Sequence, residues 1–351
     1  MAEAMAYNRI EMPELPEVET IVRGLRSPLI GRRFTGVRIG WGKIVATPAV
    51  VTHPLALDYH RIPCSQESER MRQVTHPLAL NYHRIPCPQE SERMRQVTHP
   101  LALDYHRIPC PQESERMGQE EFERYLVGRE VLDVKRRGKY IICHLSGGGA
   151  LIFHLRMTGR LQVVSASQPL DRHDHLILSL DDGNELRFNN VRKLGRVYLV
   201  RDEDEVVGGL GPEPLDDGFT PTDFADLLSG RRGMIKPLLL NQSFIAGIGN
   251  IYANEALFVA RIHPKRKADS LTGEEIERLY HAIREVLRQG IENRGTTLRH
   301  YRDARGREGR NQDLLQVYGR AGQPCPRCGT PIERTVVGGR GTFFCPKCQR
   351  E

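Results

Sequence analysis

Residues 175–188 read His175-Leu176-Ile177-Leu178-Ser179-Leu180-Asp181-Asp182-Gly183-Asn184-Glu185-Leu186-Arg187-Phe188. Two strand-type runs, His175–Leu180 and Glu185–Phe188, flank Asp181-Asp182-Gly183-Asn184, whose residues tolerate tight-turn backbone angles, so the stretch reads as a β-hairpin. Runs of the same kind lie at Phe34–Ile39, Val131–Val134, Tyr140–Leu145, Leu151–Leu155 and Arg196–Val200. No helical pattern alternates with them, and many short strands without crossover helices predict an antiparallel sandwich. Ahead of it, Pro13–Ile30 carries Val18, Val22, Leu25 and Leu29 on one stripe and predicts an N-terminal helix. The Gly- and Pro-rich stretch 208–218 reads as a linker. Beyond it the pattern turns helical at Thr222–Leu228, Gly249–Val259 and Gly273–Asn293, the last opened by a Thr272/Glu275 capping box. From Tyr318 the chain reads as a compact ribbon.

At 351 residues the chain has room for two cores, and 39% hydrophobic residues make an ordinary composition. No stretch approaches the ~18 uninterrupted apolar residues of a membrane span, and Met1–Glu11 lacks the apolar run of a secretory signal. The expected setting is therefore the cytoplasm. The net charge of +7 is uneven: residues 231–351 hold 22 Lys/Arg against 12 Asp/Glu, whereas the preceding 230 residues sum to −3. A basic C-terminal third suits a polyanion partner, because phosphate contacts release condensed counterions.

Residues 51–119 are three tandem copies of a 23-residue unit, beginning at Val51, Val74 and Val97. The first two differ only at Asp58/Asn81 and Ser65/Pro88, the last two only at Asn81/Asp104 and Arg95/Gly118. Each unit is mostly polar and proline-bearing, so the expectation is an exposed, disordered insertion rather than a solenoid. Cys64, Cys87 and Cys110 fall one to a copy, without metal-ligand spacing, and Cys143 stands alone. The expected division is an extension at 1–11, a sandwich domain at 12–50 and 120–205, the insertion at 51–119, a linker at 206–220, a helical domain at 221–317 and a ribbon at 318–351.

Three constellations carry chemistry. Cys325-Pro326-Arg327-Cys328 and Cys345-Pro346-Lys347-Cys348 are paired knuckles that place four thiolates around one structural Zn²⁺. With all four positions closed the metal folds the hairpin rather than catalyses, and the tip Gly338-Gly339-Arg340-Gly341 offers one Arg to a phosphate. Gly247-Ile248-Gly249-Asn250 precedes a helix, where backbone N–H groups and the helix dipole favour an anion; a tight turn between packed helices is the competing reading. Met12-Pro13-Glu14-Leu15-Pro16-Glu17-Val18-Glu19-Thr20 reads as an acidic helix start. If the chain began at Pro13, a free secondary amine titrating near neutrality would be a nucleophile, with Glu14 beside it to move protons.

These motifs together resemble the formamidopyrimidine-DNA glycosylases. The resemblance rests on Pro13–Thr20, on Lys139 in Arg136-Arg137-Gly138-Lys139-Tyr140, and on His154-Leu155-Arg156-Met157-Thr158-Gly159. Met234-Ile235-Lys236-Pro237, Gly247–Ala253, Val317-Tyr318-Gly319-Arg320 and the four cysteines complete it, over residues 12–50 and 120–350. The fold it implies is α+β and multidomain: an antiparallel β-sandwich with an N-terminal helix, a helix-two-turn-helix domain and a C-terminal zinc ribbon. The implied activity is base excision, removing oxidised purines from double-stranded DNA through a proline Schiff base and nicking the strand by β,δ-elimination. Pro13 then matches the nucleophile and Glu14 the acid/base, while Lys139 and Lys236 match lysines holding phosphates around a flipped nucleotide. Met157, Arg192 and Leu194 match residues that fill the gap left by the everted base, which must leave the stack to be reached. Asn250 and Arg340 match backbone clamps, and Tyr252 joins the expected DNA-binding set. On residue type alone the two lysines read as solvated surface groups and Met157 as core.

Two departures matter. Eleven residues precede Met12, and a Pro13 nitrogen locked in a peptide bond is no nucleophile. The repeats also intrude before the Lys139 motif. The alternatives are an endonuclease VIII-like enzyme for oxidised pyrimidines and a DNA-binding zinc protein disabled by its extension. A monomer at the nucleoid of a bacterium is expected, with no membrane partner. Deleting residues 51–119 is expected to leave zinc content and melting temperature nearly unchanged, because the units offer little apolar surface to a core; loss of folding on deletion would show them to be structural.

Overall fold

The computed structural model describes residues 12–46 and 119–351. The expectations for the N-terminal extension and the tandem units lie outside the described residues. Helix α1 (Leu15–Leu29) starts with Pro16 in its first turn, where the missing N–H has no intrahelical partner to lose. Its stripe of Val18, Ile21, Val22, Leu25 and Leu29 is wholly buried. Strands follow as β1 (Phe34–Ile39), then, after α2 (Gln119–Leu126), β2 (Val131–Arg137), β3 (Tyr140–Leu145), β4 (Ala150–His154), β5 (Gly159–Ser165), β6 (Asp174–Leu180), β7 (Asn184–Asn190) and β8 (Arg196–Val200).

They form two four-stranded sheets, β1-β6-β7-β5 and β2-β3-β4-β8, with every pair antiparallel. The β6–β7 hairpin forms as its sequence predicts, pairing Leu178 with Leu186, and Gly183 supplies the positive φ of 82° that the turn needs. Inner faces of both sheets meet α1 and α2 in one core, where Phe153 and Phe188 pack edge to face at 5.7 Å. Strand β5 was not expected. Its apolar alternation is short, and its strand character comes from pairing all seven residues with β7, a tertiary cause that local pattern does not show. Helix α2 and the short α5 (Ile235–Leu240) were likewise not anticipated.

After α3 (Asp204–Val207), helices α4 (Pro221–Leu228), α5, α6 (Asn250–Val259) and α7 (Gly273–Glu292) enclose a second core of Phe224, Ile235, Leu239, Ile248, Leu257, Leu279 and Leu287. The expected capping box forms: Thr272 Oγ1 accepts the Glu275 N–H at 3.3 Å and a Glu275 carboxylate oxygen accepts the Thr272 N–H at 2.9 Å. Leu15 belongs to this helical core whereas Val18 and the rest of the α1 stripe belong to the sandwich core, so one helix serves both. Among the described residues no helix is long and apolar enough to cross a membrane.

The ribbon is a hairpin of β9 (Glu333–Val337) and β10 (Arg340–Phe344) closed by Gly338 and Gly339, both at positive φ (58° and 72°) as a two-residue hairpin turn demands. Sγ atoms of Cys325, Cys328, Cys345 and Cys348 lie within 4.8 Å of one another, with Cys328–Cys345 at 3.5 Å and Cys325–Cys348 at 4.0 Å. Zn–S bonds of ~2.3 Å in a tetrahedron require sulfurs about 3.8 Å apart, so these four thiolates fit one Zn²⁺. The ribbon docks on α6: Asn254 Oδ1 accepts the Phe343 N–H at 2.8 Å, and the Glu255 carboxylate accepts the N–H groups of Gln316, Val317 and Tyr318 at 2.7, 3.0 and 2.8 Å. Cys345→Ser is expected to release the metal, unfold the hairpin and spare the sandwich core. Atomic absorption with near-ultraviolet circular dichroism checks this; retention of one equivalent of zinc would refute the ligand set.

Candidate active site

The N-terminus of α6 holds an anion, as the glycine-bearing turn suggests, and that anion is the protein's own. The Glu14 carboxylate accepts the N–H groups of Gly249 at 2.9 Å, Ile251 at 2.9 Å and Tyr252 at 3.3 Å. Charge-assisted bonds to free N–H groups at the positive end of a helix dipole hold it there. The expected phosphate cradle is thus an internal carboxylate site. The glycines are sterically required: a Cβ on Gly249 would lie 2.3 Å from Glu14 Cδ, and one on Gly247, whose φ is +84°, would lie 2.7 Å from Leu15. The Leu15 N–H donates to Gly247 O at 3.0 Å, completing the junction.

Glu17, not singled out from the sequence, supports Glu14 from below. One carboxylate oxygen accepts the Glu14 N–H at 2.9 Å; the other accepts the Tyr252 hydroxyl at 2.8 Å and the Thr296 N–H at 2.6 Å. Pro13 is buried at the head of this arrangement. Tyr252, expected among DNA contacts, is 1% exposed, and its ring packs where a Cβ on Gly290 would meet its hydroxyl at 2.5 Å. Its place is therefore structural, beneath the carboxylates.

Two lysines act electrostatically on Glu14, and Arg340 acts on both lysines. Lys139 lies in the β2–β3 turn and is buried, not solvated as its residue type suggests. Burial lowers its pKa, the charges of Glu14 and Glu17 raise it and Arg340 lowers it. Burial likewise raises the Glu14 carboxyl above the usual range, against the opposing charge of Lys139. Lys236 is 0% exposed, donating to Thr342 Oγ1 at 2.6 Å and Gly341 O at 3.1 Å, and burial pushes its pKa down to about 7. The Asn250 amide donates to the same Gly341 O at 3.1 Å. In this arrangement Lys236 and Asn250 anchor the zinc hairpin rather than face solvent as free clamps; Arg340, at the hairpin tip, is exposed as expected.

The turn carrying Lys139 is clamped from the linker. Glu213 accepts Arg136 Nη1 at 2.6 Å and Arg137 Nη1 at 3.0 Å, and it also takes the Gly138 N–H. Arg137 Nη2 donates to the Gly211 carbonyl at 2.7 Å. Nothing in the local pattern of Glu213 announces this contact, 75 residues distant in the chain.

Met157 and Arg192 lie on neighbouring turns, with Arg192 Nη1 3.5 Å from Met157 Sδ; Arg192 is exposed and Met157 and Leu194 are half-buried. Met157 is thus half-buried rather than in the core that its residue type alone suggests. Just before its turn, His154 accepts the Arg156 N–H on Nδ1 at 3.0 Å and packs edge-on to Tyr140 at 4.6 Å. Burial above all pushes its pKa down to about 3, so it is a neutral acceptor there.

Family comparisons match three segments: the formamidopyrimidine-DNA glycosylase N-terminal domain at residues 12–61 and 93–197, the formamidopyrimidine-DNA glycosylase H2TH domain at 210–302, and the zinc finger found in FPG and IleRS at 322–350. The first match reaches into both ends of the tandem-repeat block. A formamidopyrimidine-DNA glycosylase of Herpetosiphon aurantiacus is 43% identical over 342 residues, spanning 96% of this chain and 100% of the relative. One from Pelotomaculum thermopropionicum is 39% identical over 97% of this chain and 99% of the relative. A solved Lactococcus lactis FPG variant in complex with Fapy-dG-containing DNA superposes with a TM-score of 0.73 at 29% identity, covering 97% of this chain and 100% of that one. A MutM complex with DNA containing carbocyclic 8-oxo-G gives a TM-score of 0.71 at 29% identity, covering 97% of this chain and 100% of that one. The chain belongs to the formamidopyrimidine-DNA glycosylase family.

Gly249→Ala is expected to displace the Glu14 carboxylate, destabilising the fold by roughly 1–3 kcal/mol and suppressing base excision about a hundredfold. Gly273→Ala, whose added Cβ meets nothing within 4 Å, is the control and should melt like the parent. Equal melting temperatures and equal excision rates for the two variants would remove the steric argument.

Proposed function

We propose that this member of the family removes oxidised purines, 8-oxoguanine and formamidopyrimidines, from double-stranded DNA and then nicks the strand, with Pro13 as nucleophile in the form that begins at that residue. The carrying observation is the Pro13–Glu14 pair: a proline at the head of α1 whose neighbouring carboxylate is buried, held by three N–H groups and within the electrostatic reach of Lys139 and Lys236. Substrate class is supported by the relatives' names and by the DNA bound in the similar structures. The family assignment and the basic C-terminal third favour a DNA-repair role at the nucleoid over a disabled binding protein.

The residues divide the chemistry. A free Pro13 nitrogen gives its lone pair to the sugar C1′; the glycosidic C–N bond breaks, its electrons leave with the base, and the proton shed by the Pro13 ammonium neutralises that base, freeing the nitrogen lone pair for the next step. Glu14, whose carboxyl titrates above the usual range, donates a proton to the ring oxygen as the sugar opens to an iminium. Loss of a C2′ proton then expels the 3′ phosphate, and a second elimination expels the 5′ phosphate. Lys139 supplies positive charge beside Glu14 where the phosphates would lie, Arg340 reaches the backbone from the hairpin, and Lys236 and Asn250 hold that hairpin in place. Met157, Arg192 and Leu194 fill the space vacated by the extruded base. Zn²⁺, held by Cys325, Cys328, Cys345 and Cys348, supplies the fold of the hairpin.

Protein beginning at Pro13 is expected to be trapped on 8-oxoguanine duplex by borohydride, whereas protein with residues 1–12 attached should give no adduct, its Pro13 nitrogen being an amide. Glu14→Gln in the Pro13 form should lose base excision by at least about a hundredfold while still cleaving a pre-formed abasic site. An adduct from the intact longer form, verified by mass spectrometry, would assign the nucleophile to another amine, Lys139 first.

A further inference from the structure

We infer that Thr158 and Asn190 are positioning residues that join the turns bearing Met157, Arg192 and Leu194 into one wedge; the inference rests on the void-filling role proposed above for those three side chains. Both turns cross between the two sheets, one running from β4 to β5 and the other from β7 to β8. The β5–β7 ladder ends at the pair Gly159–Asn190, and beyond it each turn keeps a backbone bond of its own, Gly159 N–H to Leu155 O at 3.1 Å and Lys193 N–H to Asn190 O at 3.1 Å, neither of which joins one turn to the other.

Side-chain polarity takes over at that point. The Arg192 N–H donates to Thr158 Oγ1 at 3.2 Å, so the hydroxyl proton is free to go to Asn190 Oδ1, 3.4 Å away. The same Oδ1 accepts the Leu194 N–H at 3.2 Å. Because a backbone N–H can only donate, this bond decides which end of the amide faces the turns. The relay therefore runs without a mismatch from the Met157 turn to both residues of the second turn.

Three further features fit this role. Asn190 is 0% exposed and, among the described residues, its Nδ2 has no hydrogen-bond partner, a cost an apolar residue would avoid. Gly195 leaves the amide room, since a Cβ there would sit 2.1 Å from Nδ2. Each turn also holds a non-glycine residue in the left-handed region, Arg156 and Lys193, both at φ 54°. Such backbone persists where surrounding bonds over-determine it.

The test uses the full chain and binding alone, so it does not depend on the nucleophile. Ligands are a duplex with a tetrahydrofuran abasic analogue opposite 2-aminopurine, and the same tetrahydrofuran strand unpaired, which has no void to fill. Thr158→Val is expected to weaken duplex binding about tenfold, the worth of one or two hydrogen bonds, and to diminish the 2-aminopurine fluorescence change. Single-strand affinity should stay within about twofold, and Thr158→Ser should restore both duplex readouts. Met157→Ala should show the same duplex-selective loss, and adding Thr158→Val to it should cost little more. If Met157→Ala changes nothing, the void-filling reading falls and this inference with it. If Met157→Ala behaves as expected but Thr158→Val is silent, weakens both ligands equally, or is not rescued by Ser, the wedge reading stands and the positioning role is overturned.

Discussion

The junction between Glu14 and the start of α6 is the constraint on which the two halves of the molecule depend. Three backbone N–H groups that a helix start cannot pair internally converge on one carboxylate carried at the head of α1. Each such bond to a charged group is worth ~1.5–3 kcal/mol, and removing the carboxylate from water costs several kcal/mol. The balance is close, so the geometry must be tight, and the glycines at 247 and 249 are what allow it. With Leu15 in the helical core and Val18 in the sandwich core, the first turn of α1 determines how the sheets meet the helices.

Helix α6 extends that constraint to the zinc hairpin. From Ile251 to Phe258 it is buried on every side, and its polar residues are spent on neighbours rather than on solvent. Its first turn takes Glu14; Asn250 and Asn254 take the β10 backbone; Glu255 takes three N–H groups of the segment entering the ribbon. Lys236 closes the same hairpin from α5. The metal folds the hairpin, but these contacts place it, with Arg340 near enough for its charge to act on Lys139 and Lys236.

What could be read from the sequence was whatever local chemistry announces. The β6–β7 hairpin, the α1 stripe, the Thr272/Glu275 box and the four-cysteine ribbon each carry their cause within a few residues, and each forms where expected. Strand β5 escaped because its cause is the seven-residue ladder with β7. Glu17, Glu213, Thr158 and Asn190 escaped for the same reason on a smaller scale: each has a partner distant in the chain, Tyr252 and Thr296 for Glu17, Arg136 for Glu213, and Thr158 and Asn190 for each other, and residue type alone gives no sign of them. The Gly247–Asn250 turn was read correctly as an anion site with the wrong anion, since a sequence does not reveal which carboxylate the fold will deliver.

Lys139 shows how the same long-range bonds serve chemistry. A buried ammonium is costly, and its nearest compensation is the carboxylate of Glu14, whose own burial pushes it toward the neutral form. Each charge opposes the shift that burial imposes on the other, so removing either partner would drive the remaining group further toward its neutral form. The pair needs the β2–β3 turn held against α1, which Arg136 does by spanning Glu19 at 3.1 Å and Glu213 at 2.6 Å. Glu213 in turn belongs to the stretch between the sandwich and the helical core, so a shift of that stretch would move Lys139 relative to Glu14. The geometry of the Glu14–Lys139 pair is thus set by the relative placement of the two cores, and a chain that docked them loosely would keep both residues and lose their mutual electrostatic effect.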